Sequence, residues 1–376
     1  MPTEKAHGYQ ITKMCETFSL LGLEVHLIVP KRKNWLKDDP FVFYGLKKSS
    51  FFIHELAVVD FITPLPITLP PFSYVPYWLT AIIFLLKAKM FLRRRLDKSD
   101  ILYTRQLEVA WFFRNHPRLI FEVHELSKLF EIGSRPWKKV ARLVTITSQL
   151  KKLLVDCGFD EKRVLVAPSV VDLADFKNLP SKETARMSLG LPRDRKLVGY
   201  IGKFSALSKL PKGVDNLIAS LGFLGSDVLA VLVGGFGEEI KHYRELAEKM
   251  KLEERVIFVP FQTRSKVPLY LKAMDVVVVP SPKLPFYEHY SSPAKLFEYM
   301  AAGVPIVASD LPSLREVLNE GNAVLVKADS AQDLALGIGK ILENAELAQC
   351  LSHRALIDVK EYNWAGRASR ILYGFR

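Results

Sequence analysis

Lys295 and Glu298 stand three residues apart in the stretch Ser291-Ser292-Pro293-Ala294-Lys295-Leu296-Phe297-Glu298. In a helix that spacing sets a cation and a carboxylate on one face. Ser292 is expected to be the N-cap and Pro293 the first helical residue, where a missing N–H costs nothing. Gly303 suits the left-handed position that ends a helix, and Pro305 prevents continuation. The expected helix therefore runs from Pro293 to Ala302 and hands over to a buried strand, Ile306–Ala308. Phe297, Met300 and Ala301 form its apolar face, and Lys295, Glu298 and Ala302 form another. Free N–H groups at the helix start suit phosphates, and the carboxylate suits a sugar diol. The plainer alternative makes Glu298 a solvated partner of Lys295.

Gly202-Lys203 follows a strand-like run, and Lys212-Gly213 opens the next helical pattern. They read either as anion-binding groups or as two ordinary surface lysines. The cluster Val233-Gly234-Gly235-Phe236-Gly237 marks a tight turn between strand and helix. Its spacing is not the dinucleotide fingerprint, so no NAD-type cofactor is implied. His124 closes the strand Phe121-Glu122-Val123, with Glu125 after it, and Arg105 closes another. His124 is either a cleft residue or a cap on a strand end. A His-Glu pair suggests metal, yet no second histidine lies at ligand spacing. Neither a Walker loop nor a Ser or Cys nucleophile constellation is present.

The elements that must position these residues alternate as in parallel βαβ units. One series of strands reads Val25–Val29, Ile101–Thr104, Leu119–Val123, Leu143–Ile146 and Val164–Ala167. Helices are expected at Tyr9–Leu21 and Ser148–Cys157. The second series reads Leu197–Ile201, Leu229–Val233, Val256–Val259, Val276–Val279, Ile306–Ala308 and Ala323–Val326. Between them Asp172–Arg195, rich in Pro, Lys and Asp, reads as a linker. The fold expected is α/β, two tandem doubly wound Rossmann-like domains with a ligand cleft between them. The first domain is assigned to 1–188 and the second to 189–360. A terminal helical segment, 361–376, is expected to cross back to the first domain. Polar Met1–His7 leads straight into a helix, so the first strand of a doubly wound domain is missing from this reading.

At 376 residues with 49% apolar content, the chain can bury two cores. Three separated cysteines, Cys15, Cys157 and Cys350, argue against a disulfide framework or a zinc site. No secretory leader is read at the start. The net charge of +13 divides unevenly. Residues 1–190 hold 29 Lys/Arg against 19 Asp/Glu, or +10; the remaining 24 against 21 give +3. The first half therefore favours an anionic partner, a membrane surface or a phosphorylated acceptor, and no nucleic-acid motif accompanies the charge. The longest apolar run, Val75–Leu86, precedes Lys87, Lys89 and Arg93-Arg94-Arg95. It reads as a buried helix with a cationic end, or as a surface helix on lipid.

The segment around Glu298 resembles the donor-binding motif of the group-1 (family 4) retaining glycosyltransferases, of the bacterial or archaeal surface-polysaccharide type. The family form is Glu-x7-Glu, a helix, then small-Gly-x-Pro and Val-Val-Ala-Ser. The second Glu is Glu298, and the first falls on Tyr290. Either Glu288, in a loop after Pro285, or the backbone at Ser291 and Ser292 then fills that role. The resemblance extends over Gly202-Lys203, Lys212-Gly213, Gly235, Ala273-x-Asp275 to Ser281, and Ala141–Phe176. Lys203 replaces the family's Arg, and Pro168-Ser169-Val170-Val171-Asp172 lacks its Asn-Gly.

That resemblance implies a GT-B fold and a metal-independent hexosyl- or glycosyltransferase. Its substrates would be a nucleotide-diphosphate sugar and a glycan or lipid-linked acceptor. Lys203 and Lys212 would neutralise the diphosphate, with Lys209 a further candidate. Glu298 would hold sugar or ribose hydroxyls, and His124 would stabilise charge at the reacting sugar. Backbone near Phe261-Gln262 would hold the base. Gly202, Gly235, Glu288, Tyr290, Ser291, Ser292 and Lys295 complete the expected donor site. No cofactor or metal is expected, and no Asp-x-Asp occurs. The location implied is cytoplasmic, peripheral on the inner membrane face. Two alternatives remain: a non-catalytic sugar-nucleotide-binding or assembly subunit, and another GT-B enzyme such as a sugar-nucleotide epimerase.

Overall fold

A computed structural model describes residues 1–3, 6–32, 36, 38–47, 50–59, 75–127, 130, 133–205 and 210–375. The candidate Lys209 lies outside them. The chain divides into two units. The first comprises Met1–Thr145, Leu154–Ala167 and Trp364–Arg376; the second comprises Ile146–Leu153 and Pro168–Asn363.

The second unit is built on six parallel strands, β7 (Lys196–Ile201), β8 (Val228–Gly235), β9 (Val256–Pro260), β10 (Val276–Val279), β11 (Ile306–Ser309) and β12 (Val324–Val326). Continuous runs such as Val276-Val277-Val278-Val279 suit strands with helices on both faces, and all four of these residues are buried. The spatial order is β12-β11-β10-β7-β8-β9. Counted within the unit, this is 6-5-4-1-2-3, the doubly wound order. It reverses between β7 and β10, and ligands of such sheets bind beyond the strand C-termini at that point. Two apolar clusters cover the two faces, one around Leu296, Phe297, Tyr299 and Met300, the other around Leu217, Ile218, Leu334 and Ile338.

The first unit contains four parallel strands in sequential order, β3 (Leu102–Thr104), β4 (Leu119–Val123), β5 (Arg142–Thr145) and β6 (Val164–Val166). A separate parallel pair joins β1 (His26–Lys31) to β2 (Phe52–Ala57), with His26 opposite Phe52. The strand β2 was not expected. Its Phe-Ile-His-Glu-Leu-Ala run mixes charge with apolar residues, and it is only partly buried. The terminal helix Trp364–Leu372 belongs to this unit, and its Trp364 ring meets Tyr9 edge-on at 6.0 Å.

The stretch read as a linker also differs. It holds the helix Lys182–Leu189, capped by the Ser181 hydroxyl and ended by left-handed Gly190. Arg186, 4% exposed, fastens that helix to the sheet. Its Nε donates to the Ala273 carbonyl at 2.8 Å, and its Nη2 meets Asp275 at 2.6 Å.

Candidate functional site

The backbone around the reversal point of the second sheet is crowded. Gly202 follows β7 with φ +143°. A Cβ there would come within 3.2 Å of Cε and 3.3 Å of Nζ of Lys295. Gly234, at φ +113°, packs on the Gly202 carbonyl in the same way, and a Cβ on Gly235 would strike the Phe204 ring. The loop after β7 returns at Gly213, φ +75°, where a Cβ would collide with the carbonyl oxygen of Pro280. These glycines are needed because strand ends, loop and helix start converge here.

Three lysines gather at this convergence. The Lys295 amine sits 3.6 Å from the ring centroid of Tyr200, a cation–π position. Tyr200 is fully buried, and its hydroxyl donates to the Lys203 carbonyl at 2.9 Å. Burial, then the Lys212 charge, pushes the Lys295 amine well below its ordinary value, with Glu298 opposing. Burial and the neighbouring Lys203 bring Lys212 down to about 8. Lys203 lies 5.3 Å from the ring centroid of Phe236, which stacks on Phe261 at 5.4 Å. Both rings are close to two-fifths exposed. They stand at the ends of β8 and β9, where the Phe261 N–H donates to the Gly235 carbonyl at 3.1 Å.

The helix that carries Lys295 begins one residue later than expected, at Ala294–Ala302. Its N-cap is Pro293, at φ −72° and ψ 120°, with no side-chain cap. Ser292 is therefore not the cap. Its hydroxyl accepts from the Ser169 N–H at 3.0 Å, and its carbonyl accepts from the Ser169 hydroxyl at 2.6 Å. The Pro168-Ser169 segment, where the family's Asn-Gly is lacking, thus holds the approach to the helix. Tyr299 docks the helix on β7: its hydroxyl accepts from the Ile201 N–H at 2.8 Å and donates to the Ile201 carbonyl at 3.0 Å.

Lys295 and Glu298 do not form the solvated pair of the plainer reading. Lys295 turns inward to Tyr200 and Gly202. Glu298 accepts from Arg264 at 2.9 Å, and Arg264 also meets Asp175 at 3.3 Å. Arg264 was missed because Thr263-Arg264-Ser265-Lys266 reads as a polar surface turn. Glu288 lies not in a loop but in the short helix Pro285–His289, which Pro285 starts and Tyr290 caps. Tyr287 in that helix donates to the Pro211 carbonyl at 2.7 Å. The His289 carbonyl accepts from Thr147 at 2.6 Å. The segment that carries Glu288, Tyr290 and Ser291 is thus braced at Pro211 and Thr147.

His124 belongs to the first unit and to a buried charge cluster there. Glu122, 3% exposed, meets Arg367 at 3.0 Å, Arg105 at 3.4 Å and His124 Nε2 at 2.8 Å, and accepts from Tyr103. Burial alone would raise the Glu122 carboxyl. The Arg367 charge and the His124 and Arg367 hydrogen bonds outweigh it and hold the group at about 2. Burial and the Arg105 charge lower His124. Arg105 Nε points at the same His124 nitrogen from 2.9 Å. A neutral ring accepting from Arg105 satisfies that contact, and a ring protonated there donates to Glu122 instead. Sequence reading picked out His124 and Arg105 but not Glu122 and Arg367, which sit 245 positions apart in the chain.

Residues 181–356 match the family model described as glycosyl transferases group 1. The chain is 26% identical over 252 residues to a D-inositol 3-phosphate glycosyltransferase of Kineococcus radiotolerans, covering 62% of this chain and 57% of that protein. It is 32% identical over 224 residues to the protein of the same name from Xylanimonas cellulosilytica, covering 57% and 51%. The chain thus spans little more than half the length of these relatives. Among solved structures, sucrose-phosphate synthase of Thermosynechococcus elongatus superposes with a TM-score of 0.76 at 21% identity, covering 98% of this chain and 93% of that one. The Anabaena protein HepE in complex with UDP-glucose gives 0.74 at 18% identity, covering 100% and 96%. The fold is GT-B, with two Rossmann-like domains.

Proposed function

We propose that the chain is a retaining glycosyltransferase. It moves a sugar from a nucleoside-diphosphate sugar to a hydroxyl of a glycan or lipid-linked acceptor. The observation that carries this reading is the gathering of Lys203, Lys212 and Lys295 beside Gly202, at the reversal point of the second sheet. Three amines and a helix start without a side-chain cap form an anion site in a partly dry setting, where charge contacts strengthen. A diphosphate there is neutralised as it departs, which is electrostatic stabilisation of a leaving group. Glu298, oriented by Arg264, accepts from hydroxyls of the donor. The Phe236–Phe261 pair offers a ring face for the base. His124, by the resemblance, steadies positive charge on the reacting sugar. No metal is required in this scheme, because the lysines supply the counter-charge.

The test is a donor panel with the full chain. UDP-, GDP-, ADP- and dTDP-sugars are screened by thermal shift, then by nucleotide release with and without EDTA. The expected result is release from one donor class, retained in EDTA and lost in Glu298→Gln. Release from none, or full dependence on added Mg²⁺ or Mn²⁺, overturns the reading. Tyr290 in place of the family's first Glu favours one second reading, a non-catalytic sugar-nucleotide-binding subunit. Its mark is a thermal shift without turnover.

A further inference from the structure

We infer that the helix Val75–Leu92 lies in the plane of an anionic lipid surface and docks the first unit on it. The helix turns one stripe inward: Pro76, Thr80, Leu85 and Ala88 are buried. The opposite stripe is apolar and open. Val75 is 44% exposed, Trp78 50%, Leu79 44%, Ile82 50%, Leu86 53% and Met90 77%. Their spacing of three and four residues places them on one helix face. Only 22% of the helix is buried within the protein, so the expectation of a covered core helix does not hold. Singly exposed apolar side chains are ordinary, but a continuous stripe opposite the packed face marks an interaction surface.

Charge selects the occupant. From Val75 to Leu86 no residue carries charge; Lys87, Lys89, Arg93, Arg94, Arg95 and Lys98 then follow. The Lys89 amine lies 5.6 Å from the Phe112 ring centroid, and Arg95 stacks on Phe91 at 4.4 Å. An apolar stripe with an aromatic ring near one end and cations at the other matches acyl chains beneath acidic headgroups. A protein partner would have to present an acidic patch beside an apolar groove. The uncharged part also fits lying flat better than spanning. Its twelve residues extend about 18 Å as helix, short of the ~30 Å hydrocarbon core.

The experiment is sedimentation of the full chain with phosphatidylcholine vesicles, with and without phosphatidylglycerol, over a salt series. Binding to the acidic vesicles alone is expected, falling as salt rises. Ile82→Glu with Leu86→Glu should lower partitioning ~10-fold or more. Both side chains face outward, so the melting temperature should hold. Arg93→Glu with Arg94→Glu should weaken binding and flatten its salt dependence, a second reading independent of the apolar pair. Several results overturn the inference. They are no binding, equal binding to neutral vesicles, binding unchanged in both variants, resistance to alkaline carbonate extraction, and self-association abolished by the Ile82/Leu86 pair without vesicle binding. Nucleotide release from a soluble acceptor does not enter this test, so it stands apart from the catalytic reading.

Discussion

At the residue scale, the site joins what a motif can announce to what only packing can. Lys203 and Lys212 were legible as candidates because each has a glycine beside it at a strand end or helix start, and Lys295 and Glu298 because they stand three residues apart in the helix that follows Pro293. Tyr200 and Arg264 were not. Tyr200 lies inside an apolar strand, and nothing in Leu-Val-Gly-Tyr-Ile says that its ring will receive an amine. Arg264 finds Glu298 only once the β9 end comes near the helix, thirty-four positions later. The lowered amine of Lys212, near 8, sets a pH dependence. Bound diphosphate favours the charged amine and raises its pKa again. Donor affinity should therefore be highest below pH 8. Above it, affinity should fall by up to ~10-fold per pH unit, as free enzyme loses a proton that the complex retains. Titration calorimetry in buffers of different ionisation enthalpy should show proton uptake on binding near pH 8. Lys212→Arg stays charged and should lose the part of this pH dependence that Lys212 carries. A flat profile in the unaltered chain would refute the assignment of Lys212.

At the element scale, most of the second sheet was legible. Its strands are uninterrupted Val, Ile and Leu runs bounded by Gly and Pro, the mark of strands buried on both faces. What escaped were elements whose signal is tertiary. The strand β2 needs β1 beside it before its mixed residues make sense, and the helix Lys182–Leu189 reads as linker until Arg186 reaches Ala273 and Asp275. The helix Ala294–Ala302 shows the same dependence. Its N-terminus could be read to within one residue, while its hydrogen-bonded attachment to β7 runs through the Tyr299 hydroxyl, which accepts and donates at Ile201. Tyr299→Phe removes that hydroxyl and leaves two buried backbone groups unsatisfied, at a cost of about 1–3 kcal/mol. The melting temperature should drop. Nucleotide Kd should also rise, since Gly202 and Lys203 follow Ile201 directly. A variant that melts lower but binds nucleotide with unchanged Kd would show that the docking holds the fold and not the site.

At the scale of the whole molecule, the chain leaves the second unit at Asn363 and ends in the first. That return is more than apolar packing. Arg367, 5% exposed, donates to the Ala167 carbonyl at 3.2 Å and faces Glu122 at 3.0 Å. Arg142 donates to the Ile371 carbonyl at 2.7 Å. The terminal helix thus supplies a main counter-charge for the buried carboxylate of Glu122 on β4. A sequence scan sees a charged residue inside a strand and another inside a late amphipathic helix, and it has no means to pair them. Arg367→Met should cost about 3–5 kcal/mol, because one partner of a buried pair is removed and the other stays. It should also change the acid response. Glu122 is held at about 2, below its unfolded value, so its stabilisation is present above the ordinary carboxylate range and is lost as pH falls towards 2. Without Arg367, the largest influence holding it down, the carboxyl moves up and the loss begins at higher pH. Hydrogen exchange should localise the weakening to β3–β6, leaving amide protection in β7–β12 unchanged. Adding Glu122→Gln should recover part of the loss, as the uncompensated charge is then gone. If the double variant is as unstable as the sum of the single ones, the pair is not coupled, and the Glu122–Arg367 contact is not what holds the terminal helix.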